Sequence, residues 1–256
     1  MIERKKMLEL RSIYKKYSGN DLFAVQSVNL KFEKGKIYSL VGESGSGKST
    51  LGKIMGGILP PSSGEVLYNN RNVYPMDYKK RREYLRQVQL ILQDGKSALD
   101  SKMNIYKSIA EPLINFKKLS GIKLKERVLQ LLHKMELSED ILGRFPYELS
   151  SGQQKRVCIA RALSATPTVI IFDEAVSGLD ATVQKNILSL LTNLHKESEG
   201  IYIFITHDMG AALFVSDEII VMKDGKVLEQ ADCTEGKPEF NDEYSKLLLQ
   251  SAFSGE

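Results

Sequence analysis

The chain has 256 residues, 42% hydrophobic and 27% charged, with 36 basic and 32 acidic side chains leaving a formal charge of +4. That is ordinary globular composition, long enough to bury a large core as one domain, with or without an inserted subdomain. The charge bias is too small to argue for a nucleic-acid partner, and no dense Lys/Arg tract with interleaved aromatics occurs. No apolar run reaches the roughly 18 residues of a membrane span, and the opening MIERKKMLEL suggests no signal peptide. Cys158 and Cys233 form no C-x-x-C, which suits a reducing cytosol. His133, His195 and His207 are scattered without metal-ligand spacing.

In chain order, residues 7–14 and 24–32 have partial alternation and β-branched residues, and read as strands around the polar turn Ser18-Gly19-Asn20-Asp21. Gly35 to Val41 reads as a short buried strand, and Leu51 to Leu59 as a helix ending near Pro60-Pro61. Between them lies Gly42-Glu43-Ser44-Gly45-Ser46-Gly47-Lys48-Ser49-Thr50, which fits G-x-x-x-x-G-K-[ST]. Strand, glycine loop and helix form the context this motif requires. The glycines let the backbone turn its N–H groups onto phosphate oxygens, and the helix start adds partial positive charge. Lys48 can reach the β- and γ-phosphates, and Ser49 can ligate Mg²⁺. The stretch predicts a nucleoside triphosphate site.

Glu65 to Tyr68 is a strand candidate, 77–86 a charged helix, and 87–92 a strand ending at Gln93. The basic runs Arg4-Lys5-Lys6 and Lys79-Lys80-Arg81-Arg82 read as solvated faces. From about 96 to 165 the patterns are mainly helical, with apolar stripes at 105, 109, 113 and 116 and again at 128, 131, 132 and 135. Strand and helix then alternate: 168–172, 182–197, 201–206 and 209–215. A hairpin over 218–230 and a tail helix over 242–250 complete the chain.

Two further stretches carry chemistry. Val169 to Phe172 is an apolar strand ending in Asp173-Glu174. In a P-loop fold it is expected beside the P-loop strand, with its carboxyl end at the phosphates. Asp173 can then hold Mg²⁺, and Glu174 can act as general base on the attacking water. Leu149-Ser150-Ser151-Gly152-Gln153 precedes a helix running to about Ala165. It is either a second phosphate-binding turn or a plain N-cap at Ser150 or Ser151.

With these motifs in this order, the chain resembles the nucleotide-binding subunit of ABC transporters over about residues 7–250. The P-loop is followed by Gln93, by the L-S-x-G-Q signature at 149–153, by 169–174, by Ser177-Gly178-Leu179-Asp180 as a D-loop and by His207 as a switch histidine. The resemblance implies an α/β ABC ATPase fold: a P-loop NTPase (RecA-like) core with an antiparallel β-subdomain over 1–92 and 166–236, an inserted α-helical subdomain over about 93–165, and a helical tail from 237.

The resemblance also implies roles. Tyr17 stacks on adenine, with Tyr14 as the competing candidate. Gln93 contacts Mg²⁺ and the attacking water and senses the permease. His207 contacts the γ-phosphate. The 149–153 loop binds the γ-phosphate held by an opposite subunit, with Ser151 where glycine is usual. The implied ligands are ATP and Mg²⁺. The implied partners are a second, distinct ATPase subunit, two permease subunits and an extracellular solute-binding protein, with the chain peripheral on the cytoplasmic face of the membrane.

Residues 93–103 and 109–113, with 241–248, resemble segments of peptide and nickel importers. Gly95, Asp100 and Ser101 depart from that pattern, as does Asn241-Asp242. The alternatives are a soluble non-transport ABC ATPase, or a regulatory nucleotide-binding half; Glu174 and His207 speak against the latter.

Overall fold

Strand β1 (Met7–Lys16) pairs antiparallel with β2 (Phe23–Glu33) and with β4 (Ser63–Tyr68), and β5 (Arg71–Asn72) completes a sheet ordered β2-β1-β4-β5. The alternation in this region is only partial because both long strands are bulged. The β1–β2 register shifts between Leu10 and Ile13, and Ser12 and Ser27 have φ of 47° and 53°. Each bulge moves the next apolar residue back to the same face, so Leu8, Leu10 and Ile13 share one core with Val25 and Val28. The computed structural model describes residues 7–19, 21–92 and 98–253.

The second sheet is ordered β10-β9-β3-β8-β7-β6, from β3 (Ile37–Val41), β6 (Val88–Ile91), β7 (Val169–Asp173), β8 (Ile201–Thr206), β9 (Glu218–Lys223) and β10 (Lys226–Asp232). All its pairings are parallel except the β9–β10 hairpin. The expectation that the strand ending in Asp173 adjoins the P-loop strand is corrected here. Strand β8 lies between them, with Leu40 paired to Ile205 on one side and Asp173 paired to Ile205 on the other.

Successive residues of a strand face opposite sides of the sheet. Val169 and Ile171 therefore enter the core shared with the antiparallel layer and α1 (Lys48–Met55), while Ile170 and Phe172 enter the core shared with the helices. That helical layer contains α3 (Ile105–Lys117), α4 (Gly121–Lys134) and α5 (Ser151–Ser164), after α2 (Tyr78–Gln87) in the chain. Helices α6 (Ala181–Ser198) and α7 (Met209–Val215) flank β8, and α8 (Glu243–Ser251) is the last element among the described residues. A third core joins Val41, Ile219 and Val221 to Met209, Phe240 and Leu249.

Helix α1 is also displaced from its expected bounds of 51–59. It begins at Lys48, so the last three P-loop residues form its first turn, and it stops at Met55 before Gly56 and Gly57 (φ 72°). Two successive glycines remove the helical preference at that point. Among the described residues no helix is long and apolar enough to cross a membrane.

Candidate functional site

Strand β3 delivers the chain, fully buried, to Gly42. A Cβ on Gly42 (φ 156°) would lie 2.1 Å from the Met222 carbonyl oxygen, and one on Gly47 (φ 97°) would lie 2.3 Å from that of Ala24. Glycine at these two positions lets the loop pass between neighbouring backbones. Within the loop, Lys48 Nζ donates to the carbonyl oxygens of Gly42 and Glu43, both at 2.7 Å, and to Ser46 Oγ at 3.1 Å. Lys48 is only 4% exposed. Burial lowers its pKa, against the pull of Glu174, Asp173 and Glu43. Gly47, the N-cap residue of helix α1, offers no side-chain cap. A buried ammonium beside an uncapped helix start makes a seat for an anion. Ser44 and Gly45 are exposed on its rim, and Ser46 is buried.

The Ser49 hydroxyl donates to Asp173 Oδ1 over 2.8 Å, so the first turn of α1 reaches over the end of β8. Asp173 is buried, and burial raises its pKa despite the Ser49 hydrogen bond. These paired hard oxygens are a donor set that suits Mg²⁺. Glu174 turns away from the strand with φ 47°, its N–H donating to the Ile205 carbonyl at 2.9 Å. Its Oε1 lies 3.4 Å from Nδ1 of His207, which follows β8. The sheet order thus gathers Lys48, Ser49, Asp173, Glu174 and His207 at the carboxyl ends of three adjacent strands.

Tyr17 is 39% exposed, and its hydroxyl lies 3.2 Å from Thr50 Oγ1. Tyr14 instead packs edge-on against Phe23. Ser150 caps α5, accepting from the Gln153 N–H at 3.3 Å, while Gln153 Oε1 accepts from the Ser150 N–H at 3.0 Å. The cap is therefore a reciprocal capping box. Leu149 is buried beneath it, Ser151 is exposed, and a Cβ on Gly152 would meet Val183 at 3.2 Å. Lys155 on α5 donates to the Ser177 carbonyl, tying this helix to the 177–180 turn. That turn contains Gly178 (φ 72°) and Leu179, packed on the helical core, and ends where Asp180 caps α6. Gln93 lies outside the described residues. Sequence reasoning missed Tyr244 as a loop contact: the Glu43 N–H donates to its hydroxyl at 2.9 Å. No local pattern signals a contact across 201 residues.

A family model described as ABC transporter matches residues 25–177. The chain belongs to the ABC transporter family. It is 36% identical over 232 residues to the oligopeptide transport ATP-binding protein OppF of Lactococcus lactis, covering 91% of this chain and 73% of that protein. It is 36% identical over 206 residues to the nickel import ATP-binding protein NikE of Brucella abortus, covering 80% and 77%. Among solved structures, the dimeric ATP-binding cassette MJ0796 in a post-hydrolysis state bound to ADP and Pi superposes with a TM-score of 0.81 at 32% identity, covering 88% of this chain and 98% of that one. CbiO1 of Clostridium perfringens, part of the ABC transporter complex cbiONQ, gives 0.81 at 28% identity, covering 97% and 93%. The ABC ATPase fold expected from the motifs is the fold found.

Proposed function

We propose that this ABC family member is the ATP-hydrolysing subunit of an importer for small solutes, of which peptides and nickel or metal chelates fit its relatives best. The carrying observation is the pairing of Glu174 with His207 at 3.4 Å, beside Ser49 and Asp173 at 2.8 Å, at the mouth of the P-loop. Residues 42–50 take the triphosphate, with Lys48 leaving its loop carbonyls for phosphate oxygens. Tyr17, on the rim above Thr50, stacks on adenine. Ser49 and Asp173, with Gln93, would hold Mg²⁺, which when bound neutralises charge on the β- and γ-oxygens. Glu174 accepts the proton of the attacking water. His207 orients that carboxylate and meets the γ-phosphate.

The Leu149–Gln153 loop heads a helix of the helical layer, where its cap groups bond each other. It serves as the lid on ATP held by a second ATPase subunit, a paralogue of this chain, with the 177–180 turn beside it. Closure of two such subunits excludes water, and loss of the γ-phosphate reopens them. The helical insertion over about 93–165 passes that motion to two permease subunits served by an extracellular solute-binding protein. The chain then works as a peripheral protein on the cytoplasmic membrane face.

The test is Glu174→Gln, which keeps the side chain's shape and removes the base. It is expected to abolish turnover and to trap an ATP-bound dimer in gel filtration. Wild-type hydrolysis by this variant would remove Glu174 from the base role.

A further inference from the structure

The tail helix α8 is hydrogen-bonded to the P-loop by Tyr244. The Glu43 N–H donates to the Tyr244 hydroxyl at 2.9 Å, while the Glu43 carbonyl accepts from Lys48 Nζ at 2.7 Å and from the Ser46 N–H at 3.2 Å. Glu43 is therefore held on one side by the loop itself and on the other by the tail. The tyrosine is firmly placed. Its ring lies 4.6 Å from Lys223 Nζ, on the residue after Met222, whose carbonyl abuts Gly42. The Glu229 carboxylate accepts from the N–H groups of Asn241 at 2.8 Å and Asp242 at 3.1 Å. Asp242 in turn caps α8, accepting from Tyr244 N–H at 2.9 Å and Ser245 N–H at 3.3 Å. Phe240 and Leu249 are buried in one core with Val41, the last residue of β3 before the loop, and with Val221 of the neighbouring β9.

We propose that Tyr244 is a positioning residue for the P-loop, its hydroxyl holding the first turn at Glu43 in the shape that receives the triphosphate. The tail helix thereby sets nucleotide affinity without touching nucleotide. This rests on reading residues 42–50 as the ATP site. The physical reason is preorganisation. A glycine-rich loop has many backbone conformations, and fixing its first turn in advance lowers the ordering cost at binding. Lys48 borrows its resting oxygens from the same turn, so loosening Glu43 also loosens the lysine.

Tyr244→Phe keeps the ring over Lys223 and removes only the hydroxyl. For the full chain, the KM for ATP is expected to rise about three- to tenfold, the range one net hydrogen bond supports. The turnover number at saturating ATP should stay within about twofold, since the bond is equal in ground and transition states. Melting without nucleotide should shift by less than about 2 °C. Leu247→Ala, at an exposed residue of the same helix, should change none of these. An unchanged KM in Tyr244→Phe overturns the proposal. A fall in turnover number and melting temperature in step with the KM change also overturns it, by making the residue structural. If wild type and Lys48→Ala are alike in failing to bind or hydrolyse ATP, the reading of the loop itself fails, and the tether with it.

Discussion

Ser49 donates its hydroxyl hydrogen to Asp173 over 2.8 Å across a strand that carries neither residue. Strand β3 leads into the loop before Ser49, β7 ends in Asp173, and β8 runs between them. The contact exists because the first turn of α1 overhangs the end of β8. It brings a hydroxyl to a carboxylate that burial makes costly to ionise.

That cost gives a pH-dependent prediction. Burial raises the Asp173 pKa above its ordinary 3.8, with Glu174 also raising it and Ser49, Lys53 and Lys48 opposing. The native state therefore holds this proton more readily than the unfolded chain. Stability from Asp173 falls as pH climbs from the unfolded value through the raised native one, and stays lower above it. Asp173→Asn should raise the melting temperature of the nucleotide-free protein at pH 7 by about 2 °C. The gain should shrink as pH falls toward about 4. The same variant should lose ATP turnover. Melts of both proteins across pH check the first claim, and identical neutral-pH melts would refute it.

Two loop glycines should respond differently to alanine. At Gly42 the new methyl would lie 2.1 Å from the Met222 backbone oxygen, so β9 must move away from β3. Gly42→Ala should cost about 3 kcal/mol in urea unfolding and lose ATP binding. At Gly45 a new methyl would meet no described atom within 4 Å beyond its chain neighbours, and only the φ of 86° resists a side chain. Gly45→Ala should cost about 1 kcal/mol. Equal losses would mean that strand proximity is not what selects glycine at position 42.

Ser151 is exposed at the first turn of α5, and the capping box runs between Ser150 and Gln153 without it. Ser151→Gly should leave steady-state ATPase activity within about twofold. A gain of about tenfold or more would mean that serine obstructs the lid.

Tyr17 and Tyr14 should separate binding from stability. Tyr17→Ala should raise the KM for ATP about tenfold, in the range of one base–aromatic stack, while Tyr17→Phe keeps most of the affinity. Tyr14 packs at 5.7 Å and 69° against Phe23. Tyr14→Ala should instead lower the melting temperature with little change in KM. The reverse pattern would exchange their roles.

Much of the site is legible in local chain chemistry. The glycine spacing of the loop is plain in the sequence, Asp173-Glu174 follow an apolar strand, and Ser150 with Gln153 spells a helix cap; each is a pattern within a few residues, although the Met222 and Ala24 carbonyls that exclude side chains at Gly42 and Gly47 arrive only with the tertiary structure. The bulges at Ser12 and Ser27 are visible only as imperfect alternation, because an extra residue in a strand has no signature of its own. The order of strands was decided by tertiary structure. Which strand lies beside which depends on where each crossover helix finds an apolar face to cover, and β8 came to rest between β3 and β7. From that placement follow the reach of Ser49 to Asp173 and of His207 to Glu174. The Tyr244 hydroxyl at Glu43 has the same origin, since a hydrogen bond across 201 residues forms only after the whole sheet has brought its ends together.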